Sequence, residues 1–147
     1  IDAYYEANMS LLEPVPPLDL YQQDWMIRTY QGQTPPARTV PGKSGTEGVF
    51  VNSIVAGGVI IAGGGVNRSI LFPGVQIQDE AIVEDAILLN DVIIGEAAQV
   101  RRCIIDKNVV VPAGEQIGVD PAADRQRFQI SENGIVVIPK RYKFTGP

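Results

Sequence analysis

The sequence contains no histidine, one cysteine (Cys103) and one tryptophan (Trp25) in 147 residues. Without an imidazole, every mechanism that needs histidine as base, nucleophile or zinc ligand is excluded for this stretch of chain. A single cysteine allows no intramolecular disulfide and no Cys-rich metal cluster. No apolar run approaches the roughly 18 residues of a membrane-spanning helix, and nothing at the start resembles a signal peptide. The expectation is a cytoplasmic protein with no membrane partner. What remains is an ordinary globular composition with a formal charge of −5 from 12 basic and 17 acidic side chains.

Residues 1–13 (IDAYYEANMSLLE) place apolar side chains at three- and four-residue intervals, which predicts an amphipathic helix stopped by Pro14, Pro16 and Pro17. The stretch reads as the terminal helix of a larger, preceding domain. Residues 14–45 then hold six of the eleven prolines, yet also Tyr21, Trp25, Met26, Ile27 and Tyr30. A purely flexible linker would lack such side chains. The segment is expected to be an extended strap docked on a surface, with one short strand around Met26–Tyr30.

From residue 46 to 118 the chain repeats itself. Ser69-Ile70-Leu71, Ala86-Ile87-Leu88 and Cys103-Ile104-Ile105 recur every 17 residues, as do Val75, Val92 and Val109, and Val66, Val83, Val100 and Ile117 (the last step also 17). An earlier coil, Ser53-Ile54-Val55, precedes the first by 16. Such a period, with β-branched residues every five or six positions, predicts three short parallel strands per coil around a triangle. Stacked coils then align their inward Val, Ile and Leu into ladders about 4.8 Å apart. The six-residue steps from Ile77 to Val83, Ile94 to Val100 and Val111 to Ile117 are the mark of a left-handed parallel β-helix of about four coils. A helical reading fails, because the 3.6-residue period is absent and valine, isoleucine and glycine are poor helix formers.

Residues 119–147 leave the repeat and are expected to cap it. Asp120–Phe128 predicts a short helix with Asp120 as N-cap and Pro121 at its first position. Ser131–Gly134 predicts a turn, and Ile135–Ile138 a strand that covers or extends the solenoid, whose end would otherwise expose unpaired strand groups.

Few residues invite a chemical reading. The Gly57-Gly58 and Gly63-Gly64-Gly65 clusters suit tight corners better than a phosphate loop, because no Lys-Ser/Thr and no helix follows them. Cys103 occupies a repeat position held elsewhere by serine and alanine, so a corner filler is expected, not a nucleophile. β-Helices of this type are best known in acyltransferases with a histidine base and in a carbonic anhydrase class with histidine-held zinc; neither chemistry is open to this chain. Charge is the better clue. Residues 1–100 carry four basic and twelve acidic side chains, whereas residues 101–147 carry eight and five. Folded back on the last coil, the basic tail could form a pocket for a small phosphorylated ligand, against the alternative of a solvated, scattered surface. Nucleic acid is not an expected partner, given the acidic total.

The opening IDAYYEANMSLL, the strap Trp25-Met26-Ile27-Arg28-Thr29-Tyr30 with Pro35-Pro36-Ala37, the coil Arg101-Arg102-Cys103-Ile104-Ile105-Asp106-Lys107 and the ending Gly134-Ile135-Val136-Val137-Ile138 resemble, in order, the C-terminal portion of bacterial glucose-1-phosphate adenylyltransferase (ADP-glucose pyrophosphorylase). The resemblance implies a parent enzyme that makes ADP-glucose and pyrophosphate from ATP and glucose 1-phosphate, as a magnesium-dependent homotetramer in glycogen biosynthesis. Its β-helix domain would serve assembly and allosteric control, packed with its own N-terminal catalytic domain.

By the same resemblance, Asp2 matches the aspartate of the family's GT-(I/L)-D-A-Y motif, a magnesium ligand in the full-length enzyme. Lys107 and Lys140 match basic positions that bind phosphorylated effectors, with Arg141 and Lys143 as further candidates. Fructose 1,6-bisphosphate as activator and AMP as inhibitor are the common pair. No catalytic residue is expected in this stretch, and the chain alone is expected to be inactive. Two other readings stand beside this one. A non-catalytic regulatory paralogue would tend to lose the metal-binding acid that Asp2 retains, and a stand-alone β-helix acyltransferase is opposed by the missing histidine.

Overall fold

A computed structural model describes residues 1–145. A first helix, α1 (Asp2–Met9), continues into a single 3-10 turn at Ser10–Leu12 and ends at Pro14. The strand predicted around Met26–Tyr30 is not formed. Trp25, Met26, Ile27 and Tyr30 are solvent-exposed, so this part of the strap does not dock on its own chain. Nothing in the segment alternates in a way that would match a free edge, and its large side chains find no apolar surface here. Contact resumes near Pro35, whose carbonyl accepts from the Gly58 N–H at 2.6 Å.

The chain then winds into a solenoid. Its first turn is β1 (Arg38–Val40), β2 (Val49–Val51) and β3 (Ile54–Val55). The second is β4 (Ile60–Ala62), β5 (Gly65–Asn67) and β6 (Ile70–Leu71). The third is β7 (Gln76–Ile77), β8 (Ile82–Glu84) and β9 (Ile87–Leu88), and the fourth β10 (Ile93–Ile94), β11 (Gln99–Arg101) and β12 (Cys103–Ile105). β13 (Val110–Val111) and β14 (Gln116–Ile117) begin a further turn, which is interrupted by α2 (Pro121–Arg127) and β15 (Gln129–Ile130) and closed by β16 (Val136–Ile138). Three parallel sheets result, ordered β1-β4-β7-β10-β13, β2-β5-β8-β11-β14 and β3-β6-β9-β12-β16, with β15 antiparallel on the last. From β1 to β13 the chain completes about four turns of the left-handed parallel β-helix that the repeat predicts.

The register explains the core. Ile61, Ile77, Ile94 and Val111 stack in one sheet, Val66, Val83, Val100 and Ile117 in the second, and Leu71, Leu88, Ile105 and Ile138 in the third. All are buried in one continuous cluster with Val59, Val75, Val92 and Val109. Identical shapes one rung apart pack without voids, and truncating such an isoleucine to alanine costs about 2–5 kcal/mol.

The corners carry the strain. Among the described residues, nine other than glycine have positive φ, and every one lies at a corner: Asn52, Arg68, Asp85 and Arg102 in one column, Asp91, Asn108 and Arg141 in the second, Glu80 and Ala97 in the third. Glycines fill the remaining places, Gly58 and Gly74 in the second column and Gly63 and Gly114 in the third. A left-handed residue costs an L-amino acid about 1–2 kcal/mol. Those above the first coil are held by their own N–H donating to a carbonyl of the coil below, as from Arg68 to Val51, Asp85 to Asn67 and Arg102 to Glu84, all at 3.1 Å. Beside one corner, the Ser53 and Ser69 hydroxyls each accept the amide of the next coil at 3.1 Å, which is why a serine is buried there. Cys103 fills the same column as packing. It is fully buried, and burial pushes its thiol pKa well above the ordinary value, so it is unreactive.

The C-terminal end is closed as expected. Asp120 caps α2 by accepting from Ala122 N–H at 3.0 Å. Phe128, Tyr142 and Phe144 pack edge to face, with centroids 4.9–6.0 Å apart, over the last rung. β15 runs against β16 and so ends the parallel stack.

Candidate functional site

Lys107 and Lys140 are 33 residues apart and meet because of register alone. β16 lies on β12 with Cys103 opposite Val136, Ile104 opposite Val137 and Ile105 opposite Ile138, the same offset of 33. Two residues beyond each strand, the chain turns the same corner. Gly74 N–H donates to Gly57 O, Asp91 to Pro73 O, Asn108 to Asn90 O, and Arg141 to Lys107 O at 3.0 Å. Arg141 (φ 58°) therefore stands on Asn108 (φ 58°), and Lys140 stands one rung, about 4.8 Å, from Lys107. All three basic side chains are exposed.

Lys143 lies further along the tail. With Arg141 it lines a shallow depression of about 610 Å³ that also includes Asn108, Val110, Pro112 and Tyr142. Lys107 and Lys140 do not line it. Three of the four predicted residues thus form a basic corner beside an open groove that Lys143 lines, and not an enclosed pocket. Among the described residues, the acidic group bonded at this corner is Asp106, whose carboxylate accepts the Lys107 N–H at 2.7 Å. Three cations at one edge, without ion-pair partners among the described residues, suit a multiply charged anion such as a phosphate ester.

Asp2 is elsewhere, in the first turn of α1. One of its carboxylate oxygens, Oδ1, is buried with no hydrogen-bond partner. Among the described residues, no three acidic, cysteine or histidine side chains cluster to hold a metal. The unpartnered Oδ1 leaves one acceptor atom free for a cation, and any metal there would need ligands besides Asp2.

One feature of the seat of α1 escaped the sequence reading. The middle residue of the recurring triplet, Ile87 or Ile104, points outward from the third sheet. Together with Ile135 it forms a separate buried cluster against Tyr5 and Met9 of α1. The Tyr5 hydroxyl also donates to the Asp85 carbonyl at 2.6 Å. Burial is the main cause that pushes the Tyr5 pKa up to about 12, so this donor keeps its proton. Strand alternation was the available signal: an apolar residue recurring at an outward position needs a cover.

A family model described as the GlmU-like C-terminal hexapeptide matches residues 35–138. Similar curated proteins include glucose-1-phosphate adenylyltransferase 2 of Vibrio cholerae serotype O1, 53% identical over 145 residues, which are 99% of this chain and 36% of that protein. Glucose-1-phosphate adenylyltransferase 2 of Vibrio vulnificus (strain CMCP6) is 58% identical over 144 residues, 98% of this chain and 36% of that protein. Glucose-1-phosphate adenylyltransferase of Dechloromonas aromatica (strain RCB) is 48% identical over 138 residues, 94% and 31% respectively. The chain spans about a third of the length of these relatives.

Proposed function

Because the chain belongs to the GlmU-like C-terminal hexapeptide family, we propose that it is the allosteric and assembly domain of a nucleotidyltransferase. The parent enzyme makes ADP-glucose and pyrophosphate from ATP and glucose 1-phosphate, acts in the cytoplasm and assembles as a homotetramer. The single observation that carries the regulatory part is the stacking of Lys107, Lys140 and Arg141 at one corner. A phosphorylated effector such as fructose 1,6-bisphosphate bridges these charges, and Lys143 meets it from the adjoining groove.

Asp2 holds magnesium in the parent, with a second carboxylate and the nucleotide supplied by the preceding domain. Magnesium held there would supply charge neutralisation at the nucleotide phosphates. Within this chain the role of Asp2 is to present one carboxylate from the first turn of α1. The chain alone binds effector but does not turn over.

Isothermal titration of the chain with fructose 1,6-bisphosphate tests the reading. Saturable binding is expected, weakened at least tenfold by Lys107→Ala or Lys140→Ala, the scale of one lost charge-assisted contact, about 1.5–3 kcal/mol. Binding unchanged in both variants would refute the site. ADP-glucose formation by the chain alone would refute its inactivity.

A further inference from the structure

β12 and β16 have different neighbours along their length. On the outward side, Ile104 of β12 and Ile135, the residue just before β16, are buried against Tyr5 and Met9 of α1. Two residues past their ends stand Lys107 and Lys140. The two strands are paired residue for residue, so a change in how β16 sits on β12 is felt at both places. On its other side β16 is held only by the two-residue β15.

The direction of α1 matters as well. Tyr5 bonds the Asp85 carbonyl and packs with Met9 on Ile87, Ile104 and Ile135 of the later coils, and the chain continues to Glu13 and Pro14 along a groove that also includes Tyr5, Asn52 and Arg68 of the earlier corners. The helix therefore runs against the direction of stacking, and its first turn, with Asp2, points toward the coils that carry Lys107 and Lys140.

We propose that α1 is a relay: an anion at the Lys107–Lys140–Arg141 corner seats β16 more firmly on β12, and α1, held by Tyr5, passes this to Asp2. The differential free energy that a relay needs is present. With the corner empty, cations on adjacent rungs repel and oppose docking of β16; a bound anion removes that repulsion only in the docked state. Tyr5 is a positioning residue, acting through α1 on the carboxylate of Asp2. The inference rests on the effector reading above.

Hydrogen–deuterium exchange on this chain, with and without fructose 1,6-bisphosphate, tests it. The expected result is slower exchange at Val136–Ile138 and, in the same sample, across Tyr5–Met9. In Tyr5→Phe, the β16 response should persist while the α1 response is lost. In the full-length parent, Tyr5→Phe should lower the activation ratio about fivefold, the low end of ordinary allosteric coupling, with unchanged effector half-saturation. Protection confined to β16 in the unsubstituted chain, or an activation ratio untouched by Tyr5→Phe, would overturn the relay and leave the effector site standing. Absence of calorimetric binding would overturn the effector site, and the relay with it.

Discussion

Lys140 stands one rung above Lys107 because Ile138 is paired with Ile105 and both strands turn the same corner two residues later. Like charges about 4.8 Å apart repel. Lys140→Glu should therefore have effects of opposite sign: stability raised by about 0.2–1 kcal/mol at low salt, and phosphate-ester binding abolished. Thermal denaturation in low and high salt, beside calorimetry, reads both. A variant that binds normally would separate Lys140 from the site.

Ala97 shares its corner column with Gly63 and Gly114 and has a φ of 58°. Replacing it by glycine removes a left-handed penalty of about 1–2 kcal/mol and adds back about 0.5–1 kcal/mol of unfolded-state entropy. Ala97→Gly should be stabilising by up to about 1 kcal/mol in chemical denaturation. Loss of stability would mean that the corner is not strained.

Asp124 is 1% exposed, and its Oδ2 accepts the Gly118 N–H at 2.9 Å. Arg127 approaches its Oδ1 at 3.5 Å and pairs with Glu115 at 2.6 Å. Asp124→Ala leaves the half-buried Gly118 amide unpaired and should cost about 1–3 kcal/mol, discounted because Arg127 is partly solvated. Lys43→Ala breaks the exposed pair with Glu96 at 3.0 Å and should leave stability essentially unchanged, because solvent screens the pair. Equal effects of the two substitutions would contradict the burial argument.

The Asp79 carboxylate accepts the Ser44 N–H at 2.7 Å and the Ser44 hydroxyl at 2.8 Å. The bond from the Ser44 backbone is the main reason its pKa lies below the ordinary carboxylate value. Ionised Asp79 thus holds the loop between β1 and β2 at every pH above about 3.9, and the hold is lost as pH falls through the lowered value. The Ser44 amide resonance should titrate with a midpoint below that of a free aspartate, and its pH-dependent shift should vanish in Asp79→Asn. A midpoint at or above the ordinary value would refute the contact.

Much of the fold was legible in sequence, and for one reason. In a solenoid each coil repeats the environment of the coil below, so inward columns such as Ile77, Ile94 and Val111 recur at a fixed interval. The capping helix was legible too, since Asp120 and Pro121 mark its start by local backbone chemistry. The strap misled, because Trp25, Met26, Ile27 and Tyr30 indicate burial without saying against what, and in this chain they stay exposed.

The site divides the same way. Lys107 and Lys140 were singled out by likeness, and no periodicity links them, because α2 and β15 interrupt the repeat between them. Only the pairing of β16 on β12 brings them to one corner. Likewise the helical pattern of residues 1–13 was plain, but its seat on Ile87, Ile104 and Ile135 was not. Local spacing determines which residues can share a face; contacts across 33 or 80 residues are decided by which surfaces remain uncovered once the coils have stacked.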